Sequence, residues 1–461
     1  VIAEAPEAKM SRRQSWQLLE ALAPFAAVFL LVLLLLPDYR RTPEWVISGT
    51  DFRVVLTAAR ALCHGYDPYG LQQMPRQYVS LGLPVPPTLS GRAPVYPPMT
   101  LVLVSPLLLL GGVRAVWAWM LLSALGLAAA LGVLMRWSGR QLGLTLPWRM
   151  GIAALTVALP MTSFALELAN VSVLAVAAAT VAWCWLESKP ASSRVLLAIA
   201  LLLKPHLGVV VVVALAATRG RLGRRVAVWS LGAAAAVSAV VLGILAVQGR
   251  LGVDASSFLA LLRSEEAAGG SMSPGFLHGL PVALQVTPLS HLLAVLPWPG
   301  MLKVALLLVV LAASLATLLW AAARLRGQSA RASDGLVFLG ALTAFAMVAS
   351  YHRAQDALLL LPVMPWLFAR IRQQTIGWAE IGLIVGTLLL TVDWISHAMP
   401  PGVPAGQGLW LRILYFRMAN LACLLLLGSL LAALVQAMRT VTAQRFPGAE
   451  PPRIVRVLEK V

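Results

Sequence analysis

The stretch LLAIALLLKPHLGVVVVVAL, Leu196 to Leu215, sets a lysine, a proline and a histidine in the middle of an apolar run. Lys204 lies about ten residues from Arg194, or about 15 Å of helix, which is the depth of a bilayer midplane. A cation there costs about 2.5–3.5 kcal/mol on insertion scales, and Pro205 opens the helix beside it. Lys204 is too central to snorkel, so the sequence predicts that it faces a polar cavity and meets an anion, of which a lipid phosphate is the natural one. His206 either adds a hydrogen-bonding group to that cavity or fills the break. A segment broken at its centre can also leave the membrane on the side from which it came, and this choice decides the topology.

The rest of the chain sets that stretch in a membrane protein. Of 461 residues 59% are hydrophobic and 12% charged, with a mean hydropathy of +0.83; soluble domains carry about 25% charged residues. Apolar segments of about 17–25 residues recur from Leu19 to Ala437, each long enough for a helix across about 30 Å of hydrocarbon. The predicted fold class is an all-α polytopic membrane protein, a single domain over 1–461. Leu19–Leu36 is too long for a signal-peptide core and lacks a small-x-small cleavage site after Pro37, so it reads as a retained anchor. The net charge of +18 resides in clusters between apolar segments, the positive-inside pattern rather than a nucleic-acid surface. Cys63, Cys184 and Cys423 have no disulfide or zinc spacing and are expected to pack.

Placing the basic clusters in the cytoplasm yields the topology. Lys9, Arg12 and Arg13 hold the N-terminus inside, and the tail 439–461 returns there. The clusters around Arg140, Lys189, Arg219, Arg324 and Arg370 fit one side only if Val95–Gly111 and Val195–Thr218 are re-entrant. About ten spans plus two re-entrant elements result, against about twelve if both cross. Two outer segments are long, 38–94 and 248–300, and loops of that size are usually functional. In the second, SFLALLR (Ser257–Arg263) reads as a short interfacial helix.

The first outer segment carries TDFRVVLTAARALCHGYDPY, Thr50–Tyr69. Phe52, Val55, Leu56, Ala59 and Leu62 share one helical face while Arg53, Thr57 and Arg60 share another, which predicts an amphipathic helix on the outer membrane surface. Asp51 is either its N-cap, with Thr50 as the other choice, or a general base fixed at the membrane boundary. In SYHRAQDALLLLP, Ser350–Pro362, the residues Tyr351, His352, Arg353, Gln355 and Asp356 form either a wet turn or part of a site. There His352 and Asp356 have i, i+4 spacing and Arg353 suits a phosphate. Glu167 and Asn170 have i, i+3 spacing, which reads as interhelical polar glue or as a contact to a substrate hydroxyl. No HExxH, GxSxG, Walker loop or GxGxxG after a strand is present, so nothing is seen to cradle a nucleotide.

These stretches in their order, TDFRVVLTAARALCHGYDPY, YPPMTLVLVSPLLLL, LLLKPHLGVVVV and SYHRAQDALLLLP, resemble the signatures of the GT-C membrane glycosyltransferases of family 87. That family includes polyprenyl-phosphate-mannose-dependent α-1,2-mannosyltransferases and a related arabinofuranosyltransferase. The resemblance implies inverting transfer outside the cytoplasmic (inner) membrane, from a polyprenyl-phosphate sugar donor to a lipid-linked or glycan acceptor. It implies no nucleotide and no cofactor, and no cluster demands a metal. Carried over by motif, Asp51 would be the base, Lys204 would bind the donor phosphate and His352 would orient a substrate or the phosphate. The expected substrate-binding set is completed by His206, Arg353, Tyr351, Asp356, Glu167, Asn170 and Arg53. The chain departs from the family pattern at His206 and at Leu166-Glu167, where relatives carry Gln and Gly-Gln. A lipid-linked-sugar flippase is the rival reading, because broken helices with a midplane cation also mark transport sites.

Overall fold

A computed structural model describes residues 22–24, 26, 28, 49–86, 93–266, 287–294, 296–326, 332–350, 354–397 and 418–445. Every regular element among the described residues is helical. Proline sets the start of the short ones: α3 (Pro98–Val104), α6 (Pro160–Glu167), α8 (Pro190–Leu203) and α9 (Pro205–Thr218) all have proline in the first turn. Its missing N–H costs nothing at that position and its fixed φ suits the helix. The long α4 (Gly112–Leu142), α10 (Gly220–Val247), α13 (Gly300–Arg326) and α17 (Met418–Arg445) carry no proline in their first turn, although Pro299 directly precedes α13. Among the described residues four helices are long and apolar enough to cross a membrane, five if the bent pair Leu146–Ala158 and Met161–Glu167 is one span.

The opening stretch folds back on itself. Gly208 on α9 lies so near α8 that a Cβ would come 2.7 Å from the Leu201 Cα, whereas seven residues of continuous helix cover about 10 Å. α8 and α9 are therefore the two arms of a hairpin with Lys204 at its turn. The Val95–Gly111 segment turns in a similar way. α3 and the 3-10 helix Ser105–Leu110 rest on neighbouring helices, Thr100 Oγ1 donates to Leu202 O at 2.8 Å, and the chain returns to Gly112, where a Cβ would overlap the Leu81 carbonyl. Both segments expected to be re-entrant leave from the end at which they begin.

The basic clusters gather at one end of the bundle. α4 and α7 (Val171–Trp185) run side by side in the same direction, since Trp119 meets Ala169 and Gly126 meets Leu174. At their C-terminal ends Arg149 lies against Gly139, Arg372 donates to Gly143 O, and Arg219 pairs with Glu187 at 3.7 Å while covering Trp183. Lys189 lies 4.4 Å from the Trp185 ring centroid. Lys204, Asp51 and the N-terminus of α7 lie at the other end.

At that other end α1 (Thr50–Cys63) departs from expectation. Its apolar face is buried as predicted, but Thr57, Ala58 and Ala61 are buried as well, and Phe52 stacks on Trp119 at 4.5 Å. α1 is thus enclosed by α3, α4 and α2 (Met74–Ser80) around most of its circumference, rather than resting on a lipid surface by one face. Neither Thr50 nor Asp51 caps it. Gly49 holds the N-cap position at φ 80° with no side-chain cap, and the nearby peptide groups are met by another helix, Gly49 N donating to Glu167 O at 2.7 Å and Asp51 N to Leu168 O at 3.2 Å. A Cβ on Gly49 would also overlap Val116. Gly49→Ala is expected to lose about 1–2 kcal/mol from the left-handed backbone alone, before the overlap, measurable as a lower unfolding temperature.

The second long segment contains α11 (Leu251–Glu266), which includes Ser257–Arg263 and exceeds the short helix expected there. Arg250 joins it to the first segment, donating to Leu62 O at 3.1 Å, to Tyr66 O and to Asp254 Oδ2 at 3.2 Å. Burial pushes the Asp254 carboxyl above the usual carboxylate range and Asp67 adds to the rise, while Arg250 opposes it. A raised folded value means that the proton is held more tightly in the folded chain. This stability is full below the ordinary carboxylate pKa and lost as pH rises through the raised one. Unfolding temperature is expected to fall across that window, and less so in Asp254→Asn. Of the cysteines, Cys184 and Cys423 are buried, but Cys63 is exposed at the end of α1.

Candidate functional site

Four separate parts of the chain meet at the hairpin turn. The first is the junction between α6 and α7. α6 ends at Glu167, Ala169 takes φ 52°, and Asn170 begins α7 as its N-cap at φ −67°, ψ 138°. The left-handed residue breaks the helix, so Glu167 and Asn170 do not share a helical face as their i, i+3 spacing suggested. Trp119 Nε1 fastens the turn by donating to Ala169 O at 3.0 Å. Asn170 Oδ1 accepts from Ser172 N at 2.8 Å, a side-chain cap, and its Nδ2 donates to Asp51 Oδ2 at 2.5 Å.

The second part is the hairpin itself. Lys204 leaves helical geometry at φ −149°, ψ 87°, and its carbonyl accepts from Leu207 N and Gly208 N, both at 3.1 Å. Its Nζ donates to Ser172 Oγ and to Asp356 Oδ1, each at 2.5 Å. Ser172 Oγ is also 2.7 Å from Asp356 Oδ1 and 2.5 Å from Asn170 Oδ1. The anion predicted for Lys204 is thus present, and it is a carboxylate of this chain. Lys204 and Asp356 are 6% and 2% exposed. Removal of either would strand the other's charge away from water, a loss of about 3–5 kcal/mol.

The third part is the 3-10 helix Ala354–Val363, which carries Asp356, and the fourth is α1 with Asp51. His206, in the first turn of α9, lies with Nε2 3.6 Å from Asp356 Oδ2, and its side chain is 44% exposed. Asp51 is half-buried. The row Asp51, Asn170, Ser172, Lys204, Asp356, His206 is therefore continuous, deep in its middle and open at its His206 end.

Of the residues singled out in the sequence, Asp51, Asn170, Lys204, His206 and Asp356 come together here. Glu167 contributes its backbone carbonyl to Gly49, and its side chain is half-buried. Arg53 stands two residues beyond Asp51 on α1, about 200° around the helix. Tyr351, His352 and Arg353 lie outside the described residues. Asp356 meets Lys204 and His206, and the pair with His352 that the spacing suggested lies outside the described residues. Ser172 was not foreseen. The signal available was its place two residues after an Asn at the start of an apolar helix, where capping sets side chains together.

Chemically, the row places a carboxylate and a buried ammonium at most about 10 Å apart, since only three hydrogen bonds and one side-chain amide separate them. Among the described residues no group of three His, Cys, Asp or Glu is placed to hold a metal ion.

No curated protein and no solved structure matches the chain. The sequence model of glycosyltransferase family 87 matches residues 95–350, more than half of the 461. The matched stretch contains Asn170, Ser172, Lys204 and His206, while Asp51 and Asp356 lie on either side of it. With that match over the core of its helical bundle, the chain belongs to glycosyltransferase family 87 and is a membrane glycosyltransferase.

Proposed function

We propose that the protein moves a sugar, mannose in the first instance, from a polyprenyl-phosphate donor to a lipid-linked or cell-envelope glycan acceptor, with inversion at the anomeric carbon. A pentose such as arabinofuranose is the alternative donor sugar. The observation that carries this reading is the placement of Asp51 and Lys204 in one row of hydrogen bonds. In-line displacement sets base, hydroxyl, anomeric carbon and phosphate in sequence. With hydrogen bonds of about 2.7–2.9 Å at either end and a near-attack gap of about 3–3.5 Å, base and cation stand about 8–10 Å apart. With at most about 10 Å between Asp51 and Lys204, the row does not exceed that span.

In the step itself, the acceptor oxygen forms a bond to the anomeric carbon as its proton passes to the Asp51 carboxylate. The bond from that carbon to the phosphate oxygen breaks, and its electron pair leaves with the polyprenyl phosphate. Lys204 stabilises the charge that develops there, and its buried position strengthens the effect. The donor phosphate takes the place of Asp356 as the partner of Lys204, and His206 stands ready to hold the displaced carboxylate. Gathering of the basic residues at the far end supports an outward-facing site with both termini in the cytoplasm. His206→Ala is expected to raise the donor KM several-fold with a smaller change in kcat, measured with purified protein in liposomes. An unchanged KM would remove His206 from the donor site.

A further inference from the structure

We infer that Asn170 is a positioning residue for Asp51, and that the Ser172 hydroxyl ties this positioning to the occupancy of Lys204. The inference rests on the reading of Asp51 as the base. Chemistry fixes the orientation of the Asn170 amide. Its Oδ1 faces the Ser172 backbone N–H, which can only donate, so its Nδ2 must be the atom directed at Asp51 Oδ2. One carboxylate oxygen is thereby held, and the direction of the other is set. Asn170 is itself 2% exposed and anchored at the first turn of α7, so it forms a rigid support for a side chain on a different helix.

Ser172 adds the link to the donor site. Its hydroxyl carries one hydrogen but faces two acceptors, Asn170 Oδ1 at 2.5 Å and Asp356 Oδ1 at 2.7 Å, while Lys204 Nζ donates to its oxygen. The hydrogen can serve only one of them at a time. With Asp356 seated on Lys204 the two compete. Where a donor phosphate displaces Asp356 and meets Lys204 Nζ without taking the Ser172 hydrogen, the hydroxyl donates to Asn170 alone and strengthens the amide's own donation to Asp51. Occupancy of the phosphate site therefore firms the base, which favours donor binding before acceptor.

Asn170 also caps α7, and the test must separate that role from positioning. Asn170→Ser and Asn170→Asp both keep a capping oxygen but lose the amide hydrogens that face Asp51. Transfer is measured in proteoliposomes with short-chain polyprenyl-phosphate mannose as donor and total lipid extract of the source cells as acceptor pool. Both variants are expected to lose about 10- to 100-fold in kcat with donor KM within about twofold of wild type, and the unfolding temperature is expected to stay unchanged in Asn170→Ser and to fall in Asn170→Asp, whose carboxylate would face that of Asp51. Ser172→Ala keeps the cap through its backbone and is expected to lose about 5- to 10-fold in kcat by the same link. Wild-type kcat in a folded Asn170 variant, or a loss found only in KM, would overturn the inference while leaving the proposed reaction standing. Should neither Asn170 variant fold, Ser172→Ala decides, and an unchanged kcat there overturns it. Absence of transfer by the wild type would remove the reading of Asp51 and this inference with it.

Discussion

Asp51→Asn is expected to lower sugar transfer by about 10²- to 10⁴-fold, the range contributed by a positioned general base. The substitution preserves shape and removes only the ability to take a proton. The folded state should hardly register it, because Asp51 does not cap α1: the N-cap position belongs to Gly49, and the peptide groups of that turn are met by Glu167 O and Leu168 O. A capping role would leave transfer intact, and because Asn caps a helix about as well as Asp it would hardly change stability either. The expected pattern differs in the loss of transfer. An unfolding temperature close to wild type together with lost transfer would identify a chemical role.

Lys204→Met is expected to act twice. Without the ammonium, the buried Asp356 carboxylate loses its lysine partner, with a stability loss of about 3–5 kcal/mol, and the donor phosphate loses its cation. The two effects can be separated. Adding Asp356→Leu to Lys204→Met removes the stranded charge and should recover most of the stability, since a buried ion pair is often replaceable by packed apolar groups. Donor binding should not recover. Donor affinity restored in the double variant would move the phosphate site away from the hairpin turn.

The architecture was legible where it follows from hydrophobic length and charge placement. The break at Pro205 and the prolines of Val95–Gly111 marked the two segments that turn back, and the arginine and lysine clusters marked one end of the bundle. Within the site, Lys204 stood out because a charge in apolar sequence must have a partner, and Asp51 because it opens an amphipathic helix at the outer membrane boundary. Their partners were harder to see. Asn170 was noticed, but its pairing was read from helical spacing that Ala169 breaks at φ 52°. Ser172 lies in NVSVLAV among small and apolar residues, and only the approach of the hairpin turn to α7 makes it part of a site. Asp356 looked like a member of a local turn, and its partner on Lys204 is set by tertiary packing alone. The periodicity of α1 announced its buried face. It could not show that α3 and α4 would enclose the rest, because periodicity records that a face is apolar and not what covers it.

The most direct test of the account is transfer by the purified protein in liposomes from a labelled polyprenyl-phosphate sugar to the lipid extract of the source cells, with the anomeric configuration of the product determined by NMR. Inverted product from the wild type and none from Asp51→Asn is the predicted result. Product with retained configuration, or undiminished product from Asp51→Asn, would contradict it.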